Sequence, residues 1–298
     1  MIARPGDVQQ LEPAGDPRCV GQVVVPVDEP RAARQAAQRV LERCVIALVG
    51  EQPQMRQSLS AWLRTGLAPR HRPAIARRME SAATLLGAVE QRIADACRVA
   101  RRERSEVTLV AVSKTQDAAS IKRLIEAGQR VFGENRVQEA QAKWPALRED
   151  HPAIELHLVG TLQSNKAADA VALFDCIHSL DRPSLVTALA KAMDRAGRRV
   201  PCFIQVDIGE EPQKGGCAIA ELPALLEQAL GAGIPVIGLM CVPPFGIEPA
   251  PFFALLDKLA RDNGLEGRSM GMSGDYETAI MLGATHVRVG TALFGERG

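Results

Sequence analysis

Eight short runs rich in Val, Ile and Leu constrain the fold of this chain more than any other feature. They lie at 107–113, 130–134, 155–160, 176–180, 202–208, 236–242, 268–272 and 286–290. Segments with three- and four-residue apolar spacing separate them, among them 117–128, 182–197, 221–233 and 249–264, and several end in Gly as a helix C-terminus prefers. Strand and helix in strict alternation require parallel strands joined by crossovers. Eight repeats within about 190 residues then predict closure, giving an α/β fold built as a single (β/α)8 barrel. An open doubly wound sheet would need a glycine-rich phosphate turn after its first strand, and "AVSKTQDA" contains no G-x-G-x-x-G.

The chain changes character near residue 79. Residues 1–78 hold twelve Arg, no Lys and eight of the nineteen Pro, and carry a charge of +5 in a chain whose net charge is +1. The expectation is a low-order N-terminal extension over 1–78, which is a basic arm for a partner or, more plainly, a variable leader or a start codon assigned too far upstream. The barrel domain then occupies 79–298. It opens with an amphipathic helix from Met79 that places Leu85, Leu86, Val89, Ile93 and Cys97 on one face.

Charge and composition exclude several function classes. A net charge of +1 gives no electrostatic excess for nucleic acid or an acidic membrane surface, so a small-molecule partner is expected. No stretch approaches the roughly 20 apolar residues of a membrane span. Seven cysteines are odd in number and scattered, with no C-x-x-C pair and no Cys/His cluster at zinc spacing. They read as reduced thiols of a cytoplasmic protein, and a monomer is expected.

In a barrel of this type the functional residues sit where each strand meets its following loop. The first strand, "LVAVSKT", ends at Lys114. An amine at a barrel mouth, partly desolvated and near other cations, suits Schiff-base chemistry with an aldehyde, while a lysine paired with a rim carboxylate is the plainer alternative. The last two strands end in "SMGMSGDYETA" and "RVGTALFG", which place Ser273, Gly274, Gly290 and Thr291 where backbone N–H groups and hydroxyls can close on an anion. A lysine facing a phosphate cradle implies a ligand with an aldehyde at one end and a phosphate at the other. Pyridoxal 5′-phosphate and a sugar-phosphate aldehyde both answer that description.

The segments "LVAVSKT", "GQRVFGENRVQEA", "ELHLVGTLQSNK", "IHSLDR", "QVDIGEEPQKGG", "GLMCVPP", "SMGMSGDYETAI" and "HVRVGTALFGER" together resemble the pyridoxal phosphate homeostasis protein family, in order and in register over 79–298. That family's barrel is similar to the N-terminal domain of alanine racemase, fold type III among pyridoxal-phosphate proteins. The resemblance implies pyridoxal 5′-phosphate as cofactor and Lys114 as the residue that forms the internal aldimine. It also implies that Ser273, Gly274, Gly290 and Thr291 hold the phosphate, that Arg288 approaches the pyridine nitrogen, and that Asn135 and Arg136 touch the cofactor or order the rim. An arginine cannot give up its proton, so at that nitrogen it weakens the ring as an electron sink. Val287 and Val289 flank Arg288, and if they pack against helices the arginine faces the barrel interior.

Other matched positions carry expectations of their own. Gln163, Ser164, Asn165 and Lys166 follow the third strand, where they would bind an incoming molecule or cap a helix through Ser164. Thr161 replaces the family's usual His or Pro, and Asp207 its usual Asn, with a salt bridge from Asp207 to Lys214 as one outcome. His157 and His178 alternate with apolar residues and read as satisfied core histidines. The only tyrosine, Tyr276, lies beside the phosphate loop, and no counterpart of the racemase's second domain is expected. Racemisation needs proton transfer on both faces of a carbon. The resemblance therefore implies a protein that stores or delivers pyridoxal 5′-phosphate, with pyridoxal-phosphate-dependent apo-enzymes as partners. A cryptic racemase or lyase is the alternative, and a phosphosugar aldolase a more distant one.

Overall fold

The computed structural model describes residues 81–211 and 215–295. The expected extension over 1–78 and Lys214 lie outside the described residues. Eight parallel strands close into a barrel in sequence order, with β8 returning to pair with β1. The strands are β1 (Thr108–Val112), β2 (Val131–Glu134), β3 (Glu155–Leu158), β4 (Cys176–Leu180), β5 (Cys202–Gln205), β6 (Val236–Met240), β7 (Gly267–Met272) and β8 (His286–Val289). Helix α1 (Ala82–Val99) precedes them. Seven crossovers carry α2 (Ala118–Glu126), α3 (Val137–Asp150), α4 (Ala167–Leu173), α5 (Pro183–Ala196), α6 (Leu222–Gly231), α7 (Ala250–Asp262) and α8 (Tyr276–Met281), and α9 (Thr291–Phe294) follows β8.

Helix α1 begins later than Met79, because Ser81 is its N-cap and accepts from Thr84 N at 3.1 Å. Leu86, Val89, Ile93, Ala96 and Cys97 are its buried face, whereas Leu85 stays half-buried. That face packs on α8 and α9. Ile93 is fully buried, and truncating it to Ala would cost about 2–5 kcal/mol in lost transfer energy and cavity. Two helices escaped the periodicity reading. α3 is polar over most of its surface and contains Pro145, with only Val137, Ala140, Trp144 and Leu147 buried, and α4 is seven residues long.

Alternation along the strands divides the core in two. Leu109, Ala111, Phe132, Leu156, Leu158, Ile177, Ile204, Leu239, Val287 and Val289 face outward and form one continuous layer with the helices. Cys176, Phe203 and Met240 form a separate cluster inside the barrel. Among the described residues, Cys97, Cys176, Cys202, Cys217 and Cys241 are buried free thiols, as expected of cysteines used as small hydrophobes. No described helix is long and apolar enough to cross a membrane.

Candidate functional site

One cavity of about 460 Å3 at the C-terminal mouth is lined by all seven residues singled out from the strand ends: Lys114, Asn135, Ser273, Gly274, Arg288, Gly290 and Thr291. Val112, Val159 and Val242 supply its apolar wall. These valines were not singled out, although a period of two carries Val112 to the same face as Lys114.

Lys114 sits in a turn held from behind. Thr115 takes a left-handed φ of 63° and donates its N–H to Glu139 Oε1 at 2.5 Å. Lys143, on α3, donates to Ser113 O at 3.1 Å and to Gln116 O at 3.4 Å, so it bridges the two carbonyls that bracket Lys114. The Lys143 ammonium also lies 2.8 Å from the fully buried Glu134 carboxylate, which accepts from Ser113 Oγ at 2.6 Å and Trp144 Nε1 at 3.0 Å. With Lys143 taking these carboxylates and carbonyls, Lys114 has no hydrogen-bond or ion-pair partner among the described residues. The rim-carboxylate alternative for Lys114 therefore finds no support.

Arg288 lies inside the barrel, with Val287 and Val289 packed outward. Its Nη1 donates to Ser269 O at 2.8 Å and Ser269 Oγ at 2.5 Å, and its Nη2 to Cys241 O at 2.8 Å. Burial pulls the guanidinium's pKa down from its usual value, opposed by the neighbouring Cys241 and Asp275. These three bonds leave the planar cation fixed while it lines the cavity.

Across the mouth from Lys114, Ser273 Oγ accepts from Gly290 N at 3.2 Å, which ties the loop after β7 to the end of β8. Asp275 holds the same loop from below by accepting from Met272 N at 2.5 Å, and burial raises this carboxyl's pKa against that hydrogen bond. Gly271 cannot be replaced here: its φ is +91°, and a Cβ would stand 2.6 Å from Ala279 Cβ. Tyr276 lies in the outer core with its hydroxyl buried and without a hydrogen-bond partner, and it is not part of the cavity wall.

A second cavity of about 390 Å3 shares Asn135 and is lined by Arg136, Thr161, Gln163 and Lys166. Lys166 thus stands in the neighbouring cavity, 3.4 Å from Asp169, and not beside Lys114. Ser164 does not cap α4 as expected; it opens a 3-10 turn and accepts from Arg182 Nη2 at 3.3 Å. Asp207 accepts from Glu211 N at 3.1 Å. His157 and His178 are buried and bonded to each other at 3.0 Å.

With this geometry in place, comparison with known proteins identifies the family. The family model for the alanine racemase N-terminal domain matches residues 86–298. The pyridoxal phosphate homeostasis protein of Pseudomonas aeruginosa is 40% identical over 225 residues, covering 74% of this chain and 97% of that protein. The protein of the same name from Aquifex aeolicus is 39% identical over 222 residues, covering 71% and 96%. PipY of Synechococcus elongatus, solved with pyridoxal phosphate bound, is 40% identical, with a TM-score of 0.60 over 68% of this chain and 100% of its own. On these grounds the chain belongs to the pyridoxal phosphate homeostasis protein family.

Proposed function

We propose that this protein binds pyridoxal 5′-phosphate at the mouth of the barrel for storage or delivery within vitamin B6 homeostasis, without catalysis of its own. The observation that carries this reading is the single cavity that unites an unpartnered lysine with a fixed arginine and a loop pair rich in small residues. Its volume falls within the usual range for small-molecule sites.

The chemistry of the donor set fits the cofactor. When bound, pyridoxal 5′-phosphate supplies an aldehyde that condenses with a primary amine and a ring that accepts electrons. Lys114 would be the covalent anchor, because its amine is free of competing carboxylates. Ser273 and Thr291 would offer hydroxyls, and Gly274 and Gly290 unshielded backbone, to the phosphate. Arg288 would meet the ring nitrogen as a cation that cannot release its proton. Asn135, which lines both cavities, would touch the cofactor or order the rim.

What supports a carrier over an enzyme is the titratable content of the wall. Among the described residues, Lys114 and Arg288 are its only titratable groups, and a guanidinium does not give up its proton at neutral pH. Proton transfer to one face of a substrate carbon would have Lys114, and the wall offers no second acid or base for the other face among the described residues.

The test is borohydride reduction of the cofactor-loaded full chain followed by peptide mass analysis. The expected result is one cofactor per chain, trapped on Lys114 and lost in Lys114→Ala while the variant stays folded. Attachment on another lysine at full occupancy would overturn the assignment. Solvent-deuterium exchange at the α-carbon of added amino acids would overturn the carrier reading.

A further inference from the structure

Three of the chain's five histidines converge inside the barrel, at the end opposite the cavity. Cys176 and His286 are the first residues of β4 and β8, and His157 and His178 stand two residues along β3 and β4. We infer that His157, His178, His286 and Cys176 form a site for one transition-metal cation of the Zn2+ class at the base of the barrel.

Spacing is the first argument. The ligand atoms of His157, Cys176 and His178 all lie within 4.8 Å of one another, and His157 Nδ1 is 3.0 Å from His178 Nε2. With metal–nitrogen bonds of about 2.0–2.1 Å at tetrahedral angles, the centres of two imidazoles on one ion fall roughly 5 Å apart. The three ring pairs here are separated by 5.1, 5.8 and 6.1 Å. His286 stands outside the set of ligand atoms that lie within 4.8 Å of one another, and its ring must close by about one ångström to join them as a fourth ligand.

The outer partners are the second argument. A metal-binding histidine usually commits its other nitrogen to a neighbour that fixes the ring. His178 Nδ1 is bonded to Ser269 Oγ at 2.8 Å, and His286 Nδ1 to Thr285 Oγ1 at 2.9 Å. His157 Nε2 faces the Glu155 carboxylate at 3.8 Å. His157 Nδ1 and His178 Nε2 thus face each other while their second nitrogens turn to Glu155 and Ser269, and His286 keeps Nε2 without a hydrogen bond among the described residues. Two or three imidazoles with a thiolate select zinc-class ions over calcium or magnesium, which require oxygen ligands. Phe203 packs on His178 and His286 with ring centres 4.4 and 4.9 Å away, giving the site an apolar side.

Entry is from the base. The Glu155 side chain is 64% exposed there and supplies negative charge at the opening, while Cys176 and His157 are nearly inaccessible. No local spacing in the sequence advertises this set, because its members come from three strands spread over more than a hundred residues.

The test is titration of the full-length protein, stripped with a chelator, by Co2+ and then Zn2+. The expected result is one equivalent of Co2+ giving a thiolate charge-transfer band and the strong visible bands of a four-coordinate site, both abolished by Zn2+. Cys176→Ser should lose the thiolate band and bind at least roughly 100-fold more weakly, and His286→Gln should weaken binding while keeping the band. Cys44→Ser should change neither. A wild-type spectrum without a thiolate band overturns the proposal whether or not the variants fold. Retention of the band in Cys176→Ser overturns it equally.

Discussion

Lys143→Met should destabilise the protein by about 3 kcal/mol and loosen the turn that carries Lys114. The Glu134 side chain is inaccessible to solvent, and Lys143 is the cation that faces it at 2.8 Å, itself only 13% exposed. Removing one partner of a buried ion pair strands the other charge, at a cost of about 3–5 kcal/mol. Two neutral donors, Ser113 Oγ and Trp144 Nε1, would remain on the carboxylate, which argues for the lower end. The carbonyls of Ser113 and Gln116 would also lose their shared donor. For a domain of this size about 3 kcal/mol corresponds to a fall in Tm of roughly 6–12 °C. Urea unfolding followed by circular dichroism measures the loss. The same preparation, titrated with cofactor, should show weaker attachment. Glu134→Gln together with Lys143→Met removes both charges and should recover more than about 1 kcal/mol of the summed single losses, because residues in one network are not additive. A single-variant loss below about 1 kcal/mol, or strict additivity in the double variant, would refute the argument that this pair holds the Lys114 turn.

Gly160→Ala and Gly87→Ala should have opposite signs in the same unfolding assay. A Cβ at Gly160 would stand 2.3 Å from Asn135 O, so the seam of the two cavities must open at a cost of about 1–3 kcal/mol, with weaker cofactor binding. Gly87, inside α1, has nothing within 4 Å, so Ala there should stabilise by about 0.5–1 kcal/mol, and a loss would show that α1 is misjudged. Tyr276→Phe should be neutral or stabilising by up to about 1 kcal/mol and leave cofactor attachment intact, because it removes a buried hydroxyl that has no partner; lost attachment would place Tyr276 in the site. Acid should destabilise the metal-free protein. Burial lowers the pKa of His286 to about 3 and that of His178 well below normal, so below the unfolded value near 6.5 the unfolded chain binds more protons than the folded one. Stability is full above that value and should fall by up to about 1.4 kcal/mol per pH unit per group as the pH drops towards 3. Unfolding curves that do not change with pH across that window would contradict the assignment.

Elements that bury one face against the barrel were legible in the sequence, because burial imposes periodicity. All eight strands were found near their true places, and the ends ran long where 155–160, 202–208 and 236–242 continue into loop after Leu158, Gln205 and Met240. Helix α3 was not legible: its polar surface and Pro145 dilute the pattern that Trp144 and Leu147 would otherwise show. At the mouth, Lys114 and the small residues after β7 and β8 could be found because strand ends in a barrel converge by construction. Partners that meet only through packing could not. The Glu134–Lys143 pair joins a strand end to the next helix, and His286 joins His157 and His178 only once β8 closes on β1.

Ser269 Oγ is one oxygen serving two masters, Arg288 on the side of the mouth and His178 on the side of the base. This imposes an evolutionary constraint on positions far apart in the chain. A lineage that replaces Ser269 with Ala leaves a buried guanidinium N–H and an imidazole nitrogen unmatched together, at about 1–3 kcal/mol for each. Drift at 178, 269 and 288 is therefore confined to joint replacements, and homologues should change these three positions as a set or keep all of them.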